Sequence, residues 1–255
     1  MCMILHEFDP NPVAIINPME KNLEMPKVLV SCFSKTTFDR MLTELGGGEE
    51  LERVQYANLS VPVYKCFYKG KAVALCNAYV GAPGCVAMLE ELAGLGMEKV
   101  ILFGTCGVLD ASIQDCSIII PNCAVRDEGT SYHYAPPSDE IAANVKYVDT
   151  FVDILERHGC KYHIGKAWTT DAFFRETRDK VQRRKEQGCI CVEMECSAVA
   201  AWAQFRGKEA FHFFYAADNL DSEVWDERSL SNEANVVEKD RIAYLALELA
   251  RAMDE

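Results

Sequence analysis

The sequence predicts an α/β fold, a single-domain three-layer α/β/α sandwich around a central mixed, largely parallel sheet. Short β-rich runs alternate with helical ones along its 255 residues, which is typical of strands connected by covering helices. A hydrophobic share of 49% is enough for one large core. Because no repeat, low-complexity tract or long linker divides the chain, residues 1–255 are predicted to form one domain with an N-terminal extension over residues 1–26.

Apolar runs bounded by turn residues predict the strands, and periods near 3.6 residues with capping residues predict the helices. The predicted strands are Lys27–Phe33, a hairpin over Val61–Gly81 that turns near Gly70, Lys99–Gly104, Cys116–Val125, Lys161–Thr170, Cys189–Met194 and Lys208–Asp218. The predicted helices are Ser34–Leu45, Ala82–Gly96, Ser138–Gly159, Glu195–Gly207 and Val236–Met253. The third of these is predicted from the cap at Ser138, the acids after it and the stop at Gly159.

Charge and cysteine usage exclude several classes of function. The formal net charge of −13 and the pI near 4.9 argue against binding to nucleic acid or to anionic membranes. The twelve cysteines are scattered and form no C-x-x-C pair, so reduced thiols are predicted, without a metal site. Neither a signal peptide nor an apolar stretch of membrane-spanning length is recognised, and a cytoplasmic protein is expected.

Ligands gather at the carboxyl ends of strands in open α/β sheets, and four such ends carry unusual residues. In "GTCG", Gly104 and Gly107 lie on either side of Thr105. The glycines allow the backbone to approach an anion closely, and the threonine hydroxyl supplies a further hydrogen-bond donor. The polar segment "AVRDEGTSYHY" contains Arg126 and follows another strand. Taken alone, the first is more typical of an ordinary tight turn, and the second equally suits a polar surface loop.

The other two strand ends add aromatic and acidic side chains. Phe173 and Phe174 in "TTDAFFRETR" either belong to the core or stack on a planar ring. Asp218 follows the apolar strand "FFYAAD", where a partly dry setting raises a carboxyl pKa and favours proton donation. A helix cap or turn aspartate is the equally plausible alternative for Asp218.

Two acids flank Met194 in "CVEMECSAVAAWA", directly before the small-residue run of a predicted buried helix. Residues two apart share a side only in extended backbone, so the strand is predicted to reach Met194 and the helix to begin at about Glu195. Glu193 and Glu195 are then predicted to line one cleft. Because a buried carboxylate needs a partner, a polar ligand is expected there.

Taken in order, "GTCGVLD", "VRDEGTSYHY", "TTDAFF", "VEMECSAVA" and "AADNLD" resemble the landmarks of the nucleoside phosphorylase-I family, which includes purine nucleoside phosphorylases, uridine phosphorylases and related nucleosidases. The resemblance runs from about Lys27 to the end of the chain. It implies a phosphorylase/hydrolase-like fold whose mixed sheet tends to close like a barrel, assembled as a homotrimer or hexamer. It also implies a pentosyltransferase of nucleotide salvage, in which phosphate attacks a purine or pyrimidine nucleoside and free base and (deoxy)ribose-1-phosphate leave. No metal or organic cofactor is expected, and inorganic phosphate is the co-substrate.

The resemblance also implies roles for the residues that match the family's motifs. Glu195 is expected to accept hydrogen bonds from ribose hydroxyls, with Met194 against the sugar and Glu193 lining the same pocket. Phe173 is expected to flank the base, and Asp218 matches the acid that protonates or hydrogen-bonds the base. Such contacts fit a transition state with an oxocarbenium-like sugar and a departing anionic base.

Further roles follow from the same resemblance. Arg228, within "DER", matches an arginine that assists the acid, and His6 matches a histidine that reaches the 5′-hydroxyl in a neighbouring subunit. Thr105 and the backbone around Gly104 are expected to touch phosphate. Arg126 is expected to be part of the substrate site.

The chain departs from the family pattern where phosphate is expected to bind. "SCFSKTTFDR" stands where the family has a G-D-P-x-x-R type loop, and Leu102 stands where a second arginine precedes the glycines. The arginine that the neighbouring subunit usually lends has no match within "VQYANLSVPVYK". Removing a charged partner from a buried phosphate costs on the order of several kcal/mol unless another cation replaces it. Lys35 is predicted as the replacement, with Arg40 and Arg126 as alternatives.

These departures leave three hypotheses open, of which phosphorolysis is preferred. In the second, water attacks and the chain is a nucleosidase. In the third, the chain binds nucleosides without turnover. The base is also open, because Asp218 favours a purine, "VRDEGTSYHY" resembles uridine phosphorylases, and "RETR" stands where their glutamine–arginine pair is expected.

Overall fold

The computed structural model describes residues 4–21, 23–56 and 58–254. Its strands are β1 Val28–Cys32, β2 Glu49–Gln55, β3 Ser60–Tyr68, β4 Lys71–Asn77, β5 Lys99–Val108, β6 Ile118–Asp127, β7 Glu140–Ala142, β8 Tyr162–Thr170, β9 Cys189–Glu193 and β10 Glu209–Asn219. Its α-helices are α1 Lys35–Glu44, α2 Ala82–Gly94, α3 Val148–Arg157, α4 Arg178–Glu186, α5 Cys196–Arg206 and α6 Val236–Met253. Short 3-10 turns occur at Ile4–His6, Thr130–His133 and Phe173–Arg175.

The strands form one mixed sheet that closes on itself at one end. Their order is β10-β6-β8-β9-β5-β1-β4-β3-β2, and β10 also pairs in parallel with β5 along most of its length. The strands β5, β9, β8, β6 and β10 therefore form a closed ring, while β1, β4, β3 and β2 continue outward from β5. The predicted α/β fold with a mixed, barrel-like sheet is confirmed.

Helices cover both faces of this sheet and bury two large parts of the core. On one side, α1, α3 and α6 contribute Phe38, Phe151 and Leu247 to a cluster with β1, β5 and β10. On the other side, α2 and α5 contribute Leu89 and Trp202. The predicted three-layer arrangement is therefore present. No helix within the described residues is both long enough and apolar enough to cross a membrane.

The helix predicted over Ser138–Gly159 is wrong in its first half. Residues Glu140–Ala142 form β7, which pairs with β6, and the helix begins only at Val148. Ile141 is buried in the core from this strand, so tertiary pairing replaces the helix that the acids near Ser138 suggested. The hydroxyl of Ser138 bonds the Glu140 carbonyl at 2.7 Å instead of capping a helix.

Other boundaries also differ from the prediction. Strand β5 does not end at Gly104 but continues through the two glycines to Val108, so "GTCG" is strand and not a tight turn. Strand β2 and helix α4 were not predicted, because both are rich in charged residues and bury little: only Val54 and Val181, respectively, are buried. In such charged segments no hydrophobic pattern marks the strand or helix, and the element forms through its contacts with neighbouring elements.

The N-terminal residues lie along α2 and α5. The Lys21 amide donates to the Gly94 carbonyl at 3.3 Å, and the Arg206 guanidinium donates to the Pro12 carbonyl at 2.7 Å. A side chain at Gly94 would lie 3.0 Å from the Met19 carbonyl, so this glycine permits close approach of the extension.

Candidate active site

A cavity of about 750 Å³ opens where the carboxyl ends of β5, β9 and β10 meet. Gly107 of β5 is the register partner of both Val192 in β9 and Asp218 in β10, which brings the three strand ends to one point. The segments that follow β8 and β10 complete the walls. The lining residues are Thr105, Gly107, Phe173, Phe174, Glu176, Arg178, Val181, Val192, Glu193, Met194, Asp218, Leu220, Ser222, Trp225 and Leu230.

Asp218 lies in this cavity, as the sequence predicted, and is buried at the end of β10. The register of β10 shifts between Ala216 and Asp218, and the Asp218 carboxylate then lies beside Gly107. Its Oδ2 accepts a hydrogen bond from Trp225 Nε1 at 2.8 Å. Burial raises the pKa of Asp218, while the Trp225 donor and the Arg228 charge act in the opposite direction.

Arg228 makes no hydrogen bond to Asp218. Its Nε donates to Asp226 at 3.2 Å and its Nη1 donates to the Ile113 carbonyl at 2.9 Å. The direct donor to Asp218 is thus the indole of Trp225, and Arg228, predicted to assist this acid, reaches it through its charge alone.

Glu176 is a second cavity carboxyl that the sequence analysis missed. It follows the 3-10 turn of Phe173–Arg175, and its carboxylate accepts no hydrogen bond from any described residue. Burial, followed by the charge of Asp218, raises the pKa of Glu176 to about 7. Asp218 and Glu176 both have raised pKa values, as does Glu193 in the same cavity, and such groups are typical of acid–base sites.

The strand-to-helix junction around Met194 matches its prediction closely. Strand β9 ends at Glu193, Glu195 is the N-cap residue, and α5 begins at Cys196. Glu193 and Met194 line the cavity. The Glu193 carboxylate is held by three donors: Oε2 accepts from the amides of Glu195 and Cys196, both at 2.7 Å, and Oε1 accepts from the Thr169 hydroxyl.

Glu195 is turned away from the position that the sequence predicted. Its Oε1 accepts the Gly81 amide at the start of α2, at 2.5 Å, and Glu195 is not among the residues that line the cavity. Burial, and next the charge of Glu193, raises the pKa of Glu195. The nearby charge of Glu193 therefore favours the protonated form of Glu195.

Arg126 is buried but organises a loop and does not reach the cavity. Its guanidinium donates to the hydroxyls of Ser131 and Ser138 and to the Pro136 carbonyl, at 2.7–2.9 Å. Its plane also lies over the Tyr132 ring, with a separation of 4.1 Å. Arg126 therefore orders residues 129–138, and the substrate role predicted for it stays a prediction.

The Phe173 and Phe174 rings form an exposed wall at the cavity mouth. Their centroids are 4.1 Å apart, and Phe173 and Phe174 are 51% and 87% exposed. The core alternative for this aromatic pair is therefore wrong. Both rings remain free to meet a planar ligand.

The residues predicted to bind phosphate are not brought together. Thr105 lines the cavity, but a side chain at Gly104 would lie 2.7 Å from Phe33, so the Phe33 ring covers this glycine. Lys35 forms an ion pair with Asp39 on the exposed side of α1 and does not line the cavity. Arg40 is paired with Asp240, also outside the cavity. Lys35 and Arg40 thus lie outside the cavity, each paired with an acid, and the phosphate role predicted for Lys35 stays a prediction.

Three further points complete the comparison with the sequence. The His6 side chain lies outside the described part of the structure, so its predicted role stays a prediction. Among the described residues, no group of three His, Cys, Asp or Glu side chains is arranged to hold a metal ion. Glu176 and Arg178 belong to "RETR", which stands where the glutamine–arginine pair of uridine phosphorylases is expected. That correspondence was the sequence signal from which both could have been predicted as site residues.

The chain matches the family model described as the phosphorylase superfamily over residues 27–250. Guanosine phosphorylase of Halorubrum lacusprofundi is 26% identical over 153 residues, 60% of this chain and 64% of that protein. A DeoD-type purine nucleoside phosphorylase of Colwellia psychrerythraea is 28% identical over 179 residues, 69% of this chain and 75% of that protein. Uridine phosphorylase of Thermococcus kodakarensis is 32% identical over 107 residues, 42% of this chain and 39% of that protein.

The fold is also similar to a solved structure. The crystal structure of uridine phosphorylase from Vibrio fischeri matches with a TM-score of 0.76 and 22% identity, covering 94% of this chain and all of that one. The chain spans less than two thirds of the Halorubrum and Thermococcus relatives. Since the family model covers most of the chain, from the first residue before β1 to the last turns of α6, this protein belongs to the phosphorylase superfamily.

Proposed function

We propose that this protein is a nucleoside phosphorylase, which cleaves the N-glycosidic bond of a nucleoside with phosphate to give free base and (deoxy)ribose-1-phosphate. The observation that carries the proposal is the cavity itself. Three carboxyls with raised pKa values, Asp218, Glu176 and Glu193, share it with the exposed ring of Phe173 and with Met194. The names of relatives, which are phosphorylases of guanosine, purine nucleosides and uridine, support the same reaction.

The chemistry follows from what each part of the cavity offers. A flat base stacks against Phe173 and Phe174, and the sugar lies toward Met194 and Glu193. As the bond between sugar and base breaks, negative charge develops on the base and positive charge on the sugar. A carboxyl that holds a proton near neutral pH stabilises the departing base, and the carboxylates nearby favour the cationic sugar. No metal or organic cofactor is required by this sequence of events.

A panel assay tests the proposal. Purine and pyrimidine nucleosides are incubated with the protein, with and without phosphate, and both base release and the sugar product are measured. We expect base release that depends on phosphate, with sugar-1-phosphate as the product. If no nucleoside in phosphate buffer yields sugar-1-phosphate, phosphorolysis is wrong.

The role of Glu195 in binding ribose remains part of this proposal. We expect Glu195→Ala to lose most turnover while its circular dichroism spectrum and thermal transition stay those of a folded protein. Near-normal activity in this variant would remove Glu195 from the sugar site and leave the Gly81 contact as its role.

Hydrolysis by water is a second candidate, because the region around Gly104 offers little to a phosphate dianion. Phe33 covers Gly104, and Lys35 and Arg40 are paired with acids elsewhere. Among the cavity-lining residues, Arg178 is the cation, and its guanidinium donates to the carbonyls of Ser222 and Glu223. The panel distinguishes the two reactions, since hydrolysis gives free sugar at a rate independent of phosphate.

The remaining expectations concern the whole chain. We propose that it acts as one domain in the cytoplasm and assembles as a homotrimer or hexamer. Light scattering on the purified full-length protein measures the assembly, and a monomeric mass would contradict it.

A further inference from the structure

Two carboxyls of the cavity, Asp218 and Glu176, differ in their hydrogen-bond partners. Asp218 accepts the Trp225 indole N–H at 2.8 Å and also lies within reach of the Arg228 charge. Glu176 accepts no hydrogen bond from any described residue, and the nearby Lys180 ammonium is itself bonded to Asp127 at 3.1 Å. Only Asp218 thus has a donor that stabilises its ionised form.

The position of Trp225 is set by a closed turn and not by the ring's own burial, since the side chain is 55% exposed. Asn219 and Asp226 exchange two backbone hydrogen bonds of 2.8 and 3.3 Å, which closes the chain between them. From α4, Arg178 donates to the carbonyls of Ser222, at 2.7 Å, and Glu223 in the same turn. These contacts fold the chain back so that the Trp225 ring lies against the Asp218 carboxylate.

Two carboxyls in one partly dry cavity do not both ionise readily, so near neutral pH they hold one proton between them. A donor fixed on one carboxyl stabilises the charge there and leaves the proton to the other. Burial also raises the pKa of Glu193, the third acid of the cavity, but its oxygens already accept three hydrogen bonds, from Thr169 and from the amides of Glu195 and Cys196, which leaves Glu193 less able than Glu176 to give a proton to a base. Arg178 is committed to the turn carbonyls.

We propose that Glu176 carries the proton that the leaving base receives, and that Trp225 is a positioning residue that keeps this proton off Asp218. The proposal rests on the proposed cleavage of nucleosides. It differs from the sequence-based assignment, in which Asp218 is the acid. Burial and the charge of Asp218, which raise the pKa of Glu176 to about 7, support it.

The proton and electron balance of the step is simple. The bond between the anomeric carbon and the base nitrogen breaks, and its electron pair stays on the base. The Glu176 carboxyl gives its proton to the base, and a phosphate oxygen forms the new bond to the anomeric carbon. Hydrogenphosphate loses its proton in becoming the sugar phosphate, and solvent returns one proton to Glu176. Asp218 remains ionised throughout and favours the cationic sugar.

The test compares pH profiles of kcat/KM for wild type, Glu176→Gln, Asp218→Asn and the exposed control Asp179→Asn, which lies in the first turn of α4. In wild type, kcat/KM is expected to fall as pH rises through about 7, when Glu176 loses its proton. Glu176→Gln is expected to lower kcat on the order of 10²-fold and to abolish this fall of kcat/KM at high pH. Asp218→Asn is expected to keep the fall but to move it to lower pH, because the variant lacks a negative charge near Glu176. Asp179→Asn is expected to match wild type.

Trp225→Phe keeps an aromatic ring and removes the N–H donor. We expect kcat to fall several-fold with a smaller change in KM, since Asp218 then competes for the proton while the cavity wall is retained. In the Asp218→Asn background the same substitution is expected to have no further effect on kcat. An equal loss in both backgrounds would show that Trp225 only packs.

Carboxyl ¹³C NMR titration of the free protein, assigned with the two variants, measures proton placement without turnover. Glu176 is expected to titrate near neutral pH and Asp218 at lower pH. The proposal is overturned if Asp218 titrates at higher pH than Glu176. It is also overturned if the fall of kcat/KM at high pH persists in Glu176→Gln and disappears in Asp218→Asn. If no nucleoside is cleaved at all, the proposed function fails instead, and the titration still reports which carboxyl holds the proton.

Discussion

The two faces of strand β5 differ in chemistry although they alternate along the same ten residues. What we term the Gly107 face consists of Thr105, Gly107 and the groups they meet at the cavity, among them Asp218. What we term the Gly104 face consists of Leu102, Gly104, the Phe33 ring above Gly104, and His212, the register partner of Leu102. One face lines the cavity, and the other is part of the core.

The Gly104 face has no charge to offer an anion near neutral pH. The His212 imidazole lies 5.9 Å from the Phe33 ring centroid, and neither ring nitrogen has a partner among the described residues. Burial lowers the pKa of His212 to about 3, so the imidazole is neutral. The difference teaches that the expected phosphate positions are divided: Thr105 lies at the cavity on the Gly107 face, whereas Gly104 packs against Phe33 in the core.

The largest effect is expected from adding one methyl group to the Gly107 face. In Gly107→Ala, the new Cβ would lie 2.4 Å from Leu220 Cδ1 and 3.2 Å from Asp218 Oδ1. Leu220 must move, and the Asp218 carboxylate must give way by a few tenths of an ångström. Because misplacement of a catalytic group by about 1 Å costs on the order of 10²-fold in rate, we expect this smaller shift to lower kcat for base release on the order of 10-fold, measured at saturating nucleoside and phosphate.

Gly104→Ala is the matched control on the same strand. Its Cβ would lie 2.7 Å from Phe33 Cδ2, so the main response is movement of one half-buried ring. A loss of kcat much smaller than that of Gly107→Ala is expected. Equal losses would mean that the two faces do not differ in function.

A second effect is expected in stability and not in rate. Phe33→Ala removes the ring that covers Gly104 and packs against His212, and the loss for a partly buried ring is about 2–3 kcal/mol of unfolding free energy. Urea denaturation measures this loss, and base release at saturating phosphate is expected to change little. A KM for phosphate that falls tenfold or more would instead show that the ring blocks an anion site.

Most of the fold was accessible from sequence because its strands and helices carry strong periodic patterns. The junction at Glu193 and Glu195 is a clear case, since two acids in alternation followed by small residues required a change from strand to helix. The helix predicted directly after Ser138 was wrong because pairing of Ile141 with β6 outweighs the local helix signal. The closure of β10 on β5 is a long-range contact that no local pattern encodes.

The site was predicted only in part, for a related reason. Asp218 could be predicted as a site residue because it directly follows the apolar run of a strand. Glu176 and Trp225 lie on connecting segments whose path depends on contacts such as those of Arg178, and periodicity does not describe such paths. Lys35 was assigned to phosphate although Asp39, four residues later, was a readable sign of an exposed helical ion pair.

The pH dependence of stability sharpens the same comparison, because the two faces act in opposite directions. Burial raises the pKa of Glu176 and Glu193 above the usual 4.5, so the native state binds protons that the unfolded chain releases. Stability therefore falls as pH rises through the native values. His212 has a lowered pKa, so its contribution is lost as pH falls below the unfolded value of 6.5. Between pH 6.5 and 8.5 His212 is neutral in both states, and the thermal midpoint is expected to fall by a few degrees as the acids lose their protons.

Variants on each face separate these contributions. Glu176→Gln is expected to reduce the fall in the thermal midpoint above pH 6.5, measured by scanning calorimetry at constant ionic strength. His212→Leu is expected to leave that fall unchanged and to steepen the rise in stability as pH decreases from 6.5 to 5, since the opposing group is absent. A midpoint that rises between pH 6.5 and 8.5 in wild type would contradict the assignment of the acids.

The smallest effect is expected at Lys35, and it distinguishes the structure from the sequence-based prediction. The Lys35 and Asp39 side chains are 70% and 52% exposed, and an exposed pair of this kind contributes about 0.5 kcal/mol or less. Lys35→Ala is therefore expected to leave the thermal midpoint and the KM for phosphate within experimental scatter of wild type. Arg40→Ala, whose ion pair joins α1 to Asp240 of α6, is the matched exposed cation and is expected to behave alike in KM. A rise in the KM for phosphate confined to Lys35→Ala would return this lysine to the phosphate site, which requires that α1 move toward the cavity during turnover.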